Sequence, residues 1–144
     1  MRAIIYNAIK VALENVPEVK HVNLWNNQLS YTEDEQPFLT PAVFIEFATI
    51  QWQHHLHGIR EAVITVNLHV VTDSRVGTWE EVMEQLSLPT KINATLHGLT
   101  ASTPKGIMDA LTATTSTTDN NFDELVDNIE SYECHVTDNS AYKR

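Results

Sequence analysis

Three of the seven histidines stand close enough in sequence to suggest a metal site. They are His54, His55 and His57, in the stretch HHLHG. A protein zinc site places imidazole nitrogens about 2.0–2.1 Å from one ion. The histidines usually come from separate elements, and carboxylates hydrogen-bonded to the rings orient them. Adjacent side chains of an extended chain point to opposite sides, so His54 and His55 can share an ion only in a specially bent turn. The spacing therefore favours a hairpin tip over a metal site, and we expect no cofactor.

The adjacent Cys134 and His135 are a second candidate for chemistry, as a nucleophile beside a base. They lie on a predicted strand, where neighbours face opposite sides of the sheet, whereas a base must lie within hydrogen-bond reach of its nucleophile. A small buried cysteine is the simpler interpretation. The sequence also lacks the GxSxG, HExxH and phosphate-loop motifs, and it has only four glycines. We therefore predict that the protein is not an enzyme.

The composition limits the class of protein. A chain of 144 residues is the size of one domain, so we expect a single domain over residues 1–144. Its 19 acidic and 9 basic residues give a net charge of −10, which repels polyanions and argues against specific binding of DNA. One cysteine excludes an intrachain disulfide. With no long apolar run and no signal-peptide cleavage site, we expect a soluble protein that is not exported and has no membrane partner.

The first forty residues predict a helix, a strand and a loop. In RAIIYNAIKVALENVP the apolar residues recur at spacings of three and four up to Pro17, which is typical of an amphipathic helix. The stretch EVKHVNLW alternates as a strand does. The stretch NNQLSYTEDEQPFLTP is rich in turn formers and acidic residues, and it predicts a long exposed loop.

Two strands should follow as an antiparallel pair. Residues 42–53 are apolar at first and polar toward QWQ, which predicts a strand that is buried early and exposed late. Residues 60–73 alternate with period two, with apolar residues on one face at Ala62, Ile64, Val66, Leu68 and Val70. HHLHG then lies at the turn between the strands. Such a hairpin could also project from the domain and contact another subunit at its tip.

The second half of the chain predicts one or two helices and two more strands. Thr78 and Glu81 form a capping-box pattern, so a helix should begin at Trp79. Pro89 predicts two short helices or one kinked helix, with Gly98 as the stop. The β-branched stretch IMDALTATTST predicts a strand, and the alternation in residues 129–136 predicts the last one. We expect a frayed tail over about 138–144.

This order of elements predicts an α+β fold. Antiparallel strands with the helices gathered on one side form a two-layer sandwich. We expect a mainly antiparallel sheet of four to five strands, with the N-terminal helix and the one or two central helices on one face.

Several stretches of the chain resemble the tail terminator, or tail-completion, proteins of long-tailed bacteriophages and prophages. The resemblance lies in IYNAIKVALENVPEVKHVNLWNNQ, PAVFIEF, VITVNLHVVTD, INATLHGL and FDELVDNIESYECHV. It rests on apolar patterns and spacing rather than on catalytic signatures. It implies an α+β protein that forms a hexameric ring, caps the last ring of the tail tube, stops its polymerisation and joins the head-side connector.

The resemblance also implies a place and a set of partners. Such a protein is a structural component of the virion at the neck end of the tail, and it assembles in the cytoplasm of the host bacterium. Its partners are other copies of itself, the tail tube protein and the head-tail connector protein. DNA passes through the lumen of the ring without specific binding, and an acidic lumen would repel the phosphates.

A ring needs surfaces that reach a neighbour, and the loop and the hairpin are the candidates. The candidate interface residues are Trp25, Asn26, Asn27, Glu33, Asp34 and Glu35 in the loop, and Trp52, His54, His55 and His57 at the hairpin.

Two alternatives remain open from the sequence. The chain could be another neck or tail component, such as a head-tail joining protein or a tube protein, which would polymerise without limit. It could also be a small metal-dependent enzyme that uses His54, His55 and His57 with His69 or Asp73. The three tryptophans, Trp25, Trp52 and Trp79, could equally anchor an interface or pack in the core.

Overall fold

The computed structural model describes residues 1–26, 28–31, 38–75, 77–120 and 124–143, without the side chains of residues 30 and 31. This part of the chain forms two α-helices and eight strands. The helices are α1 (Arg2–Leu13) and α2 (Trp79–Leu96). The strands are β1 (His21–Leu24), β2 (Ala42–Phe47), β3 (Gln53–His54), β4 (Arg60–Asp73), β5 (Ala101–Thr103), β6 (Gly106–Met108), β7 (Thr112–Asp119) and β8 (Leu125–Asp138). Neither described helix is long and apolar enough to cross a membrane.

All the strands belong to one sheet. Its order is β1-β2-β4-β8-β6-β5, with β3 beside β4 and β7 beside β8. Only β1 and β2 are parallel, and the other pairs are antiparallel. The two strands of 14 residues, β4 and β8, pair from Arg60 opposite Asp138 to Asp73 opposite Leu125. This long pair is the centre of the sheet.

One face of β4 forms the main core with both helices. The period-two pattern places the side chains of Ala62, Ile64, Val66, Leu68 and Val70 on this face, and all five are buried. From α1 come Ile5, Ile9 and Leu13, and from α2 come Leu88, Ile92 and Leu96. Both helices therefore cover the same face of the sheet, as the sequence predicts.

A smaller apolar cluster lies on the opposite face of the sheet. It contains Leu29, Phe38, Ala42, Phe44, Val71 and Leu125, with Trp25 packed against them. The segment that follows β1 thus covers one end of this face, and the beginning of β2 is buried on both sides.

The prediction of an α+β fold is confirmed, but the predicted number of strands is wrong. The sheet has eight strands in the described residues instead of four or five. The additional β3, β5 and β6 are only two or three residues long, which is too short for a periodic pattern. The predicted strand IMDALTATTST is two strands, because the buried Leu111 leaves the sheet edge and exchanges backbone hydrogen bonds with Gly98 and Leu99.

The helix after Thr78 begins and ends where the sequence predicts. The Thr78 hydroxyl accepts a hydrogen bond from the Glu81 backbone N–H at 3.2 Å, and Gly98 beyond the last turn has φ of 77°. Pro89 does not divide it, because α2 runs without a break to Leu96. A proline inside a helix removes one backbone hydrogen bond, and the buried Leu88 and Ile92 on either side hold the helix on the core.

We predict that Val66→Ala lowers the free energy of unfolding by about 2 kcal/mol, because two buried methyl groups are removed and a cavity remains. Val66 is fully buried, whereas Val63 on the same strand is 58% exposed. The matched control Val63→Ala should cost less than about 1 kcal/mol, the range of strand propensity. Urea unfolding followed by circular dichroism measures both. Equal losses would contradict the assignment of the two faces of β4.

Candidate functional site

On the second face of the sheet, a buried histidine is the centre of a polar cluster. It lies beside the smaller apolar cluster that contains Leu29 and Phe44. His69, on β4, is 5% exposed and lies flat under Trp25, with ring centroids 3.7 Å apart and an angle of 1° between the rings. Trp25 is held at this place by its backbone N–H, which donates to the Ile45 carbonyl at 2.9 Å. The indole therefore covers one side of the imidazole.

Two carboxylates hold the edges of the His69 ring. Nδ1 lies 2.8 Å from Asp127 Oδ2, on β8, and Nε2 lies 3.2 Å from Glu46 Oε1, on β2. The register places these residues one diagonal step apart, since His69 is opposite Phe44 and Ile129. We name His69, Asp127 and Glu46 the histidine cluster.

Hydrogen bonds extend the histidine cluster along the same face. Asn67 donates through Nδ2 to Glu46 Oε1 at 3.1 Å, and it accepts from the Ser131 hydroxyl at 2.6 Å. Asn67 lies opposite both Glu46 and Ser131 in the register. One polar network therefore joins three neighbouring strands, β2, β4 and β8.

The charges of the cluster favour a protonated imidazole. Burial alone would lower the pKa of His69, but the hydrogen bonds and negative charges of Asp127 and Glu46 outweigh it and raise that pKa above its ordinary value. Asp127 is 2% exposed, and its Oδ1 atom has no hydrogen-bond partner in the described structure. Because a buried carboxylate is costly without an opposite charge, a protonated His69 also stabilises Asp127.

This geometry suits a structural role better than acid-base catalysis. Both nitrogens of His69 face carboxylates, and Trp25 covers the ring, so neither nitrogen is directed at space that a substrate could occupy. The cluster instead fastens the segment after β1 to the centre of the sheet. His69 as a core histidine agrees with the sequence, and Asp73 is a turn former that accepts from the Arg75 backbone N–H at 2.8 Å.

The HHLH stretch lies at the turn between β2 and β4, as predicted. His54, on β3, lies opposite Arg60, on β4, and His55 Nε2 lies 3.3 Å from Glu61 Oε1. His57 adopts a left-handed conformation with φ of 64°. In the described part of the chain, no group of three or more His, Cys, Asp or Glu residues is placed to hold a metal ion.

The C-terminal segment lies against this turn. Lys143 donates from its backbone N–H to the His57 carbonyl at 2.8 Å, and a Cβ on Gly58 would lie 2.1 Å from the Ala141 carbonyl oxygen. We expected fraying from about residue 138, but Asp138 is the last residue of β8, and its carboxylate accepts from Arg60 at 2.9 Å. The hairpin tip is therefore packed on its own chain at one side.

The candidate interface residues separate into two places. Asn27, Glu33, Asp34 and Glu35 lie outside the described residues. Trp25 and the exposed Asn26 lie beside His69, at one end of β4. His54, His55 and His57 lie near Arg60 at the other end, and the guanidinium of Arg60 stands 3.9 Å above the Trp52 ring. Nine residues of strand separate Arg60 from His69, which is roughly 30 Å.

Cys134 is buried, and burial raises the pKa of its thiol to about 11. His135 is exposed on the other face of β8, where its Nδ1 lies 2.8 Å from Asp109 Oδ2. The prediction that these neighbours face opposite sides is confirmed, and a thiol with a raised pKa is a poor nucleophile.

Two further surfaces are exposed. Strand β7 is exposed from Thr112 to Thr118. Trp79, on α2, is 73% exposed, so of the two places that the sequence left open for it, interface or core, the core is wrong. The only sequence signals are the uncharged threonine run and the spacing of Trp79 from Met83 and Leu86. Comparison with known proteins adds no assignment to these surfaces, because neither a family model nor a curated protein sequence matches the chain.

We predict that the stability contributed by His69 declines as the pH rises above about 6.5. Its pKa is higher in the folded than in the unfolded protein, so the contribution is complete below the unfolded pKa and is lost as the pH rises through the folded one. The difference in unfolding free energy between the wild type and His69→Gln should therefore shrink as the pH rises from about 6.5 through the raised pKa of the folded protein. Urea unfolding at several pH values measures it.

His54→Gln is the matched control, because His54 is exposed in β3. Its difference in unfolding free energy from the wild type should stay small at every pH.

Asp127→Asn should lower the free energy of unfolding by roughly 1.5–3 kcal/mol at about pH 6, the range for hydrogen bonds to a charged group. A His69→Gln difference that is constant across the pH range would refute the charged state assigned to the cluster.

Proposed function

We propose that this protein is a tail terminator, a virion structural protein that forms a ring on the end of a phage tail tube. In this role it stops polymerisation of the tube and provides the surface that the head-side connector joins. It acts at the neck end of the tail, after assembly in the bacterial cytoplasm. The resemblance in apolar pattern suggests the family, and the surface of the sheet offers physical support.

The observation that carries the proposal is the exposed edge of β7. In the described residues β7 pairs with β8 alone, so no other strand pairs with its outer edge from Thr112 to Thr118. Edge strands are usually protected by lysine, proline or a cover. The sequence of β7 is TATTSTTD, which has neither lysine nor proline, and its side chains are exposed up to Thr118. The register of β7 shifts between Ala113 and Thr115, and irregularities of this kind also protect an edge, so the regular stretch from Thr115 to Thr118 is the part suited to pairing with another chain.

The sheet ends in a second outer strand at the same level, β1. The Leu24 backbone N–H already donates to Asn23 Oδ1 at 2.8 Å, and the Leu24 carbonyl accepts from Gln28 Nε2 at 2.6 Å, so an incoming strand would pair with β1 before Leu24. The registers align Val22 with Val43, Val70, Asn128 and Thr118 across five strands, from β1 to β7. At this level β1 and β7 are the two outer strands of the described sheet. A head-to-tail contact joins two different surfaces of identical subunits, and it makes a closed ring when the rotation between them closes. We infer that β7 of one copy pairs with β1 of the next.

The charge suits a ring through which DNA passes without being bound. A net charge of −10 repels phosphates over about one Debye length, roughly 8 Å at physiological salt. The same charge makes contacts between copies weak unless they form directional hydrogen bonds, and backbone pairing provides these. The tube protein and the connector would contact the two remaining surfaces of the ring.

We predict that the purified protein forms discrete closed rings as its concentration rises, and that Thr115→Lys/Thr117→Lys on β7 prevents them. Lysines on an edge strand prevent pairing because their ammonium groups would have to lose water in the contact, which is costly. Light scattering coupled to size-exclusion chromatography measures the mass of each species. Negative-stain images of the heaviest peak show whether the rings are closed.

Asn7→Lys/Ala94→Lys is the matched control, since both residues are exposed on helices and the change in charge is the same. This variant should form rings like the wild type. Open-ended tubes would identify a tube protein, the sister component considered from the sequence. A monomer at every concentration would contradict a ring built on the edges of β1 and β7.

A further inference from the structure

The first half of α2 exposes a row of large apolar side chains. Trp79 is 73% exposed, Met83 42% and Leu86 69%. Their spacings of four and three residues place them on one side of the helix. We name Trp79, Met83 and Leu86 the α2 stripe. Three large exposed apolar residues in a row are a contiguous patch, and such patches mark interaction sites.

The core does not use the α2 stripe. The buried residues of α2 are Leu88, Ile92 and Leu96, all in its second half. At 3.6 residues per turn, Trp79 and Leu88 point about 180° apart around the helix axis, and Met83 and Ile92 do the same. The stripe therefore points away from the sheet, and folding of the single chain cannot bury it.

The helix that carries the stripe is rigidly placed. The Thr78 hydroxyl caps its first turn, and Gln85 Nε2 donates to the Asp73 carbonyl at the end of β4, 2.8 Å away. The stripe is therefore presented in a fixed geometry, which lowers the entropic cost of binding.

The charges beside the stripe identify the chemistry of a partner. Glu80 and Glu84 are exposed and lie on one flank of the stripe, about 100° and about 140° around the helix axis from Trp79, whereas Glu81 points to the opposite side; the first basic residue of α2 is Lys91. Upstream, Arg75 is paired with Asp73 at 2.7 Å and with Glu124 at 3.2 Å. The stripe thus has an acidic border. A second copy would bring the same acidic border and a net charge of −10, so self-contact through this surface is repulsive.

We propose that the α2 stripe docks on a different protein that presents an apolar surface bordered by lysine or arginine. The anchors stand at i, i+4 and i+7 of α2, the spacing that a helix uses when it binds through one face, and Trp79 is the aromatic anchor. The acidic residues select the partner by charge, and the apolar residues supply the contact. The surface contains no residue of β1 or β7, so the inference goes beyond ring formation and does not depend on it.

The test uses a synthetic amphipathic helical peptide with a leucine face flanked by lysines as the probe. A second peptide with glutamate in place of every lysine is its control. Nuclear magnetic resonance of the isotope-labelled full chain follows the titration, because the indole N–H of Trp79 gives a signal separate from those of Trp25 and Trp52. We expect the lysine peptide to shift the signals of Trp79, Met83 and Leu86, and the glutamate peptide to leave them unchanged.

Variants make the result specific. Trp79→Ala should weaken binding of the lysine peptide by about tenfold or more. Val11→Ala should not, although Val11 is 60% exposed on α1. Glu80→Lys/Glu84→Lys should reverse the preference between the two peptides. Because all these residues are exposed, the variants should unfold at the same urea concentration as the wild type.

Three outcomes would overturn the proposal. Failure of the lysine peptide to bind would show that the α2 stripe is not a docking surface for such a partner. Equal binding of both peptides would show that charge does not select the partner. Self-association that Trp79→Ala abolishes would show that a second copy occupies the stripe. The proposed ring is judged separately, because Thr115→Lys/Thr117→Lys should bind the lysine peptide like the wild type, and Trp79→Ala should form rings.

Discussion

The antiparallel pairing of β4 with β8 is the constraint on which the other features depend. These strands pair over 14 residues each, so a shift by one residue would exchange the two faces of both. The buried Ile64 and Leu68 would then point away from α1 and α2, and Asn67 and His69 would enter the apolar core. The cost of that exchange fixes the register. It also fixes which residues of β2 and β7 meet their neighbours.

The two faces of the pair are stabilised in different ways. The helix-covered face contains apolar side chains that need only to exclude water. The opposite face places His69 and Asp127 out of water, where each needs partners, and it supplies them from β2, β8 and the covering Trp25. The segment after β1 is attached both by the apolar cluster that contains Leu29 and by the stacking of Trp25 on His69. The charge of a histidine therefore contributes to this attachment, whereas it does not contribute to that of the helices.

Sequence reasoning succeeded where one local signal determined the structure. Period-two alternation predicted β4 with its correct bounds, and Thr78 with Glu81 predicted the start of α2. It failed where distant residues decide. The sequence could not choose between two short helices and one kinked helix at Pro89, because burial of Leu88 and Ile92 by the sheet is what keeps one helix there. The strands β5 and β6 are too short to show a period. The histidine cluster joins residues 46, 69 and 127, so only the register of three strands can bring them together.

The exposed edge of β7 and the α2 stripe have a common physical meaning. A monomeric fold normally protects its sheet edges and buries its large aromatic residues, because exposed edges and apolar patches promote aggregation. Here β7 has neither lysine nor proline, and α2 exposes Trp79 on the side opposite the buried Leu88. The two surfaces differ in kind: an edge of backbone groups can pair with an identical chain despite like charge, whereas an apolar row with an acidic border repels its own copy. A single chain can therefore hold one surface for itself and one for a basic partner without the two competing.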